Sequence, residues 1–200
     1  KGDELNQLAL FALNSDENNA NSWLAFSHLL EFNGDHQRAL QTARKALLLD
    51  RASRRGFMRH GELRMQRNDT KKALTAFTKA HQIHEGIDSY TEIVKCYCLL
   101  EEWQMAEGFA AKALLVFPPD SEHGALSLTL MGLALRAREP QNAVEFLKKA
   151  LKKMPEHNEA LGALIDMRIK EDDFDGAEAI LREYREQSQD FFFWMKLGEI

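Results

Sequence analysis

Polar and apolar positions along the chain recur with a helical period. The stretches "HQRALQTARKALLLD" (36–50), "TKKALTAFTKAHQIH" (70–84), "WQMAEGFAAKALLVFP" (103–118), "PQNAVEFLKKALKKMP" (140–155) and "FDGAEAILREYREQS" (174–188) share one design. Each has a small residue, an apolar residue four positions later and another three after that. The first anchors, Ala39, Ala73, Ala106, Ala143 and Ala177, are 34, 33, 37 and 34 residues apart, and Ala46, Ala80, Ala113, Ala150 and Tyr184 keep the same steps. Before each stretch lies a second amphipathic one: "SWLAFSHLLEF", "FMRHGELRMQ", "YTEIVKCYCLL", "LSLTLMGLALRA" and "ALGALIDMRIK". Apolar spacings of three and four mark all of these as helices, not strands. The pattern predicts paired helices joined by short polar turns.

Two helices repeated about every 34 residues resemble the tetratricopeptide repeat, whose first helix carries a large apolar residue, Leu-Gly and Tyr, and whose second carries Ala, Phe, Ala and Pro. Trp23, Phe57, Gly61, Ala73, Phe77, Ala80, Tyr90, Tyr97, Ala106, Ala113, Pro118, Gly132, Ala150 and Pro155 match, and Ala39 takes the same place in the first full repeat. The reason is steric: glycine and alanine let two helix backbones approach, and the large side chains fill the space to the next repeat. Pro118 and Pro155 end second helices, because the residue before a proline avoids the helical region.

The expected fold is therefore all-α, an α-α superhelix of about five full repeats over residues 1–200 with a half repeat at each end. Carried one period further, the register places Trp194, Leu197 and Gly198 of "DFFFWMKLGEI" in the first helix of a sixth repeat. Carried backward, it makes "ELNQLALFALNSD" the second helix of an earlier one. A repeat array needs polar caps at its ends. Two open ends predict a piece of a longer repeat protein.

Composition narrows the function. The chain has 44% hydrophobic and 28% charged residues, and its net charge of −5 argues against a general nucleic-acid binder. No apolar run reaches the roughly 18 residues of a membrane-spanning helix, so no membrane role is expected. Cys96 and Cys98 are two apart, toward different helix faces, and read as free thiols. Of seven histidines only His81 and His84 fall within one helical turn, with Glu85 as the local acid; surface histidines are the simpler reading, and no metal is expected. Glu101 and Glu102, and Asp172 and Asp173, fall in turns, where they solvate the chain and favour helix N-termini. Glycine-rich phosphate loops and G-x-S-x-G serine motifs are absent. Neither an enzyme nor a cofactor is expected.

Two basic clusters remain. Lys148, Lys149, Lys152 and Lys153 suit the solvated face of a helix C-terminus. In the resembled fold, first helices line a groove, and by register Arg55, Met58 and Glu62, then Asp88, Thr91 and Lys95, point into it, with Arg136 further along. Arg59 lies about a turn from Arg55, so Arg55, Arg59 and Lys95 form a candidate grip for an anionic peptide end; ordinary surface charge is the competing reading. A lysine-asparagine carboxylate clamp of the kind some co-chaperones use is missing, since its positions hold Leu24 and His28, Met58 and Glu62, and Thr91 and Lys95.

The order of imperfect repeats, with "SYTEIVKCYCLLEEWQMAEGFAAKAL", "LSLTLMGLALRAREPQNAVEFLKKALKKMPEHNEAL" and the long joint "FPPDSEHGALSLTLMGLAL", is similar to the tetratricopeptide subunits of the anaphase-promoting complex. That resemblance implies a non-catalytic ubiquitin-ligase scaffold of the cell cycle, in the nucleus and cytoplasm. It also implies other repeat subunits as partners, a homodimer, and activator C-terminal tails as groove ligands. Scaffolds of intraflagellar-transport, acetyltransferase-auxiliary or RNA-decay complexes are the alternative, with a co-chaperone behind them.

Overall fold

The computed structural model describes residues 16–184 together with Gln7 and Gly198. Ten helices are present among the described residues, and no strand. They alternate as first and second helices: α1 (Ala20–Phe32), α2 (His36–Leu49), α3 (Arg54–Gln66), α4 (Thr70–Ile83), α5 (Ile87–Leu99), α6 (Trp103–Val116), α7 (Gly124–Leu135), α8 (Pro140–Lys153), α9 (Asn158–Lys170) and α10 (Phe174–Glu183). The two further helices expected at the chain's ends, with Trp194, lie outside the described residues. Gly198 is exposed in a turn and not packed inside a helix contact as expected.

Four of the five turns within a pair are built alike. Gly34, Asn68, Glu101 and Asp172 follow their helices in the left-handed region, with φ of 79°, 56°, 59° and 57°. Each of these N–H groups donates three residues back, as from Gly34 to Glu31, and the next donates five back, from Asp35 to Leu30, Asp69 to Arg64, Glu102 to Tyr97 and Asp173 to Arg168. This is the Schellman closure, which satisfies carbonyls a helix end leaves open. The residue completing it is also the N-cap of the second helix. The carboxylates of Asp35 and Asp173 accept from the N–H groups of Arg38 and Gly176 at 3.0 and 2.9 Å. One acidic residue thus closes one helix and opens the next.

The fifth turn, between α7 and α8, is a residue longer and has no left-handed residue; Glu139 donates to the Leu135 carbonyl instead. Most of the long 37-residue step lies just before α7, in residues 117–123. There the Ser127 hydroxyl donates to the Phe117 carbonyl at 2.7 Å, and a Cβ on Gly124 would overlap the Pro119 carbonyl.

The chain divides after Cys96 into two compact units. In the first, α1 packs on α2 and α4 on α3, and Ala39, Ala43, Ala46, Ala73, Phe77 and Ala80 are fully buried. Gly61 faces Phe77 so closely that a Cβ there would overlap the ring. Trp23 is half-buried, its indole N–H donating to the Glu17 carbonyl at 2.7 Å. In the second unit, Ala106, Ala113, Ala143, Ala150 and Ala177 are fully buried, and Leu147 fills the space beside Gly132. Fully burying a leucine such as Leu147 contributes about 1.5–3 kcal/mol. The periodic alanines are thus contact points between helices.

Candidate protein-interaction surface

In the first unit α1, α3 and α5 carry the charged residues that the register assigned to a groove. Arg55 is exposed, Glu62 is half-exposed, and Lys95, half-buried, lies 3.7 Å from Glu92 on its own helix. Arg59 differs. It is only 4% exposed, with its guanidinium 2.7 Å from the Glu31 carboxylate and 3.3 Å from Glu62, and it donates to the Ser27 hydroxyl and carbonyl at 3.1 and 3.0 Å. Its donors are committed to α1 and to its own helix. The expectation that Arg59 grips an anionic end beside Arg55 and Lys95 is corrected: the side chain ties two successive first helices together.

Burial makes this tie possible. The small Ser27 leaves room for the guanidinium and passes its own proton to the Ala39 carbonyl at 3.0 Å, so no polar atom there is stranded. Gln66 also bonds to Glu31. Burial raises the Glu31 pKa, but the bonds from Gln66 and Arg59 outweigh it and hold the carboxyl below its ordinary value. Burial, then the Arg59 charge, lower His28.

A second link escaped the sequence reading. Arg54, not its neighbour Arg55, pairs with Asp88 at the start of α5, and its Nε donates to the His84 carbonyl at 3.2 Å. Asp88 is raised by burial but lowered further by Arg54 and the Ser89 N–H, and ends below its ordinary pKa. Arg54 and Asp88 are 34 residues apart, one repeat period, which was the available signal.

In the second unit, Arg136 caps α7 half-buried and lines a small pocket of about 90 Å³ with Trp103, Asp166 and Lys170. No group of three or more His, Cys, Asp or Glu among the described residues is placed to bind a metal. His81 lies 3.8 Å from Glu85 and 3.0 Å from the Ser89 hydroxyl, with its ring edge-on to Tyr90. Neither cysteine is accessible. Burial pushes the Cys96 thiol up to about 12, with Glu92 adding to it, and the Cys98 thiol up to about 11 against the opposing charge of Arg136. No described helix is long and apolar enough to cross a membrane.

Exposed charge between regularly stacked helix pairs is suited to binding protein segments. Residues 20–53 and 134–192 match tetratricopeptide repeat profiles. Those two segments carry tetratricopeptide repeats, and the chain resembles proteins of that family. It is 24% identical over 187 residues to anaphase-promoting complex subunit 7 of Dictyostelium discoideum, covering 92% of this chain and 32% of that protein. It spans about a third of that relative's length.

Solved structures share the fold. A tetratricopeptide repeat protein from Parabacteroides merdae matches at TM-score 0.77, 16% identical, over 96% of this chain and 75% of its own. Cut9–Hcn1, a hetero-tetramer of the anaphase-promoting complex, matches at 0.75, 16% identical, over 92% and 36%. YrrB, a repeat protein with an unusual peptide-binding site, matches at 0.62, 18% identical, over 96% and 98%.

Proposed function

We propose that this chain is part of a non-catalytic scaffold subunit in a ubiquitin ligase of the anaphase-promoting type, organising protein–protein contacts in cell-cycle control. The observation that carries this reading is the likeness to subunit 7 over 92% of the chain. Its partners are other repeat subunits, with a second copy among them, and it works in the nucleus and cytoplasm. Arg55 and Lys95 receive the carboxylate tail of an activator, and Glu62 in the same unit and Arg136 in the other are further candidate contacts for partners. The test is immunoprecipitation of the full-length protein from dividing cells. The precipitate carries ubiquitin-ligating activity toward mitotic substrates, and a precipitate without it rejects the assignment.

A further inference from the structure

A pocket of about 560 Å³ opens between the second helices α2 and α4 and is floored by α3. Four cations surround it: Arg44 and Arg51 from the α2 side, Lys72 and Lys79 from α4. Leu47, Leu48, Phe57 and Ala76 supply an apolar floor, and Leu48 is 63% exposed. No acidic residue lines it among the described residues, in a chain whose net charge is −5. Lys72 pairs with Asp69 at 3.0 Å, and Lys79 lies 5.6 Å above the Phe57 ring. Among the described residues, no carboxylate pairs with Arg44, Arg51 or Lys79.

Uncompensated like charges around exposed apolar surface raise the energy of the free protein, and an occupant bearing the opposite charge relieves it. From the α2–α3–α4 pocket we infer that it is a docking site for an acidic peptide segment of a partner protein, which inserts one large apolar side chain over Leu48 and Phe57 while flanking carboxylates meet Arg44, Arg51 and Lys79. The apolar anchor supplies affinity, and the cation ring sets its sign and register. This site is separate from Arg55 and Lys95, and it does not depend on which assembly the protein serves.

His60 lines the same pocket. Burial lowers its pKa first; Arg64, Arg44 and Lys79 lower it further, and Asp69 opposes them. Carboxylates brought against Arg44 and Lys79 therefore shift its titration upward.

The probe is the blocked peptide acetyl-Glu-Asp-Asp-Leu-Phe-Glu-Asp-Asp-amide, titrated into the isotope-labelled chain by NMR. We expect saturable shifts centred on Leu48, Phe57 and Lys79, an upward shift of the His60 titration, and weaker binding as salt rises. Exchanging the acids for Asn and Gln, or the Leu-Phe pair for Ser-Ser, weakens binding at least tenfold. So does the double substitution Arg44→Glu, Lys79→Glu, with an unchanged thermal midpoint as evidence of folding. Shifts mapping elsewhere, equal binding of the uncharged peptide, undiminished binding by the folded double variant, or retention on phosphatidylserine vesicles without binding of the peptide would each overturn the proposal.

Discussion

The guanidinium of Arg59 reaches back 32 residues to Ser27 and donates to both its hydroxyl and its carbonyl oxygen. A buried charge removed from such a site leaves partners behind. Arg59→Ala strands the Ser27 carbonyl and uncouples Glu31, and should cost about 2–3 kcal/mol, the scale of a lost charge-assisted bond plus an unpaired partner. Urea unfolding measures it; a cost within 0.5 kcal/mol, the scale of an ordinary surface change, rejects the tie between α1 and α3.

Two glycines separate close approach from helix propensity. Gly108, inside α6, has nothing within 4 Å of its absent Cβ, so Gly108→Ala should stabilise by about 0.5–1 kcal/mol through propensity alone. Gly61→Ala gains the same propensity but drives a methyl into the Phe77 ring, and should destabilise by about 1–3 kcal/mol. The opposite signs are the test, read as shifts of thermal midpoint.

Acid acts in two stages. His28 and His60 titrate below their ordinary value when folded, so the unfolded chain takes up protons first and stability falls as pH drops below about 6.5. Glu31 and Asp88 are also depressed, so their stabilisation is present above about pH 4 and is lost below it. A melting series from pH 8 to pH 3 should be flat at first, then shallow, then steep. His60→Gln should remove part of the shallow stage and Arg54→Met part of the steep one.

The thiols should be inert. With Cys96 and Cys98 buried and their pKa values near 12 and 11, the native chain carries almost no thiolate at pH 8. Alkylation followed by mass spectrometry should label neither until denaturant is added; rapid native labelling contradicts their burial.

Arg55 and Lys95 remain the groove candidates. Reversing both to Glu should abolish binding of a partner peptide with a free C-terminal carboxylate while changing stability by no more than about 0.5 kcal/mol. Equal binding by the double variant places the carboxylate site elsewhere.

Much of the fold was legible because contact geometry repeats. Ala73, Phe77, Ala80, Ala106 and Ala113 recur where paired helices touch, and all five are fully buried. The 37-residue step appears as the long connection before α7. Arg59 misled because it lies about a turn from the groove position Arg55, and only the smallness of Ser27 and the charge of Glu31, one repeat earlier, turn it inward. The shared Schellman closures were hidden for a related reason: Gly34 announces one, but Asn68, Glu101 and Asp172 adopt the same left-handed turn without glycine. The cation-ringed pocket draws on three helices whose basic residues are scattered along the sequence, so no single run of charge marked it.

The central claim, that this chain belongs to a ubiquitin-ligase scaffold, is tested most directly by purifying the full-length protein from dividing cells and identifying its stable partners by mass spectrometry. The account predicts other tetratricopeptide-repeat subunits and ubiquitin-ligase components in stoichiometric amounts. Stoichiometric recovery of a different assembly, with no ligase component, would contradict it.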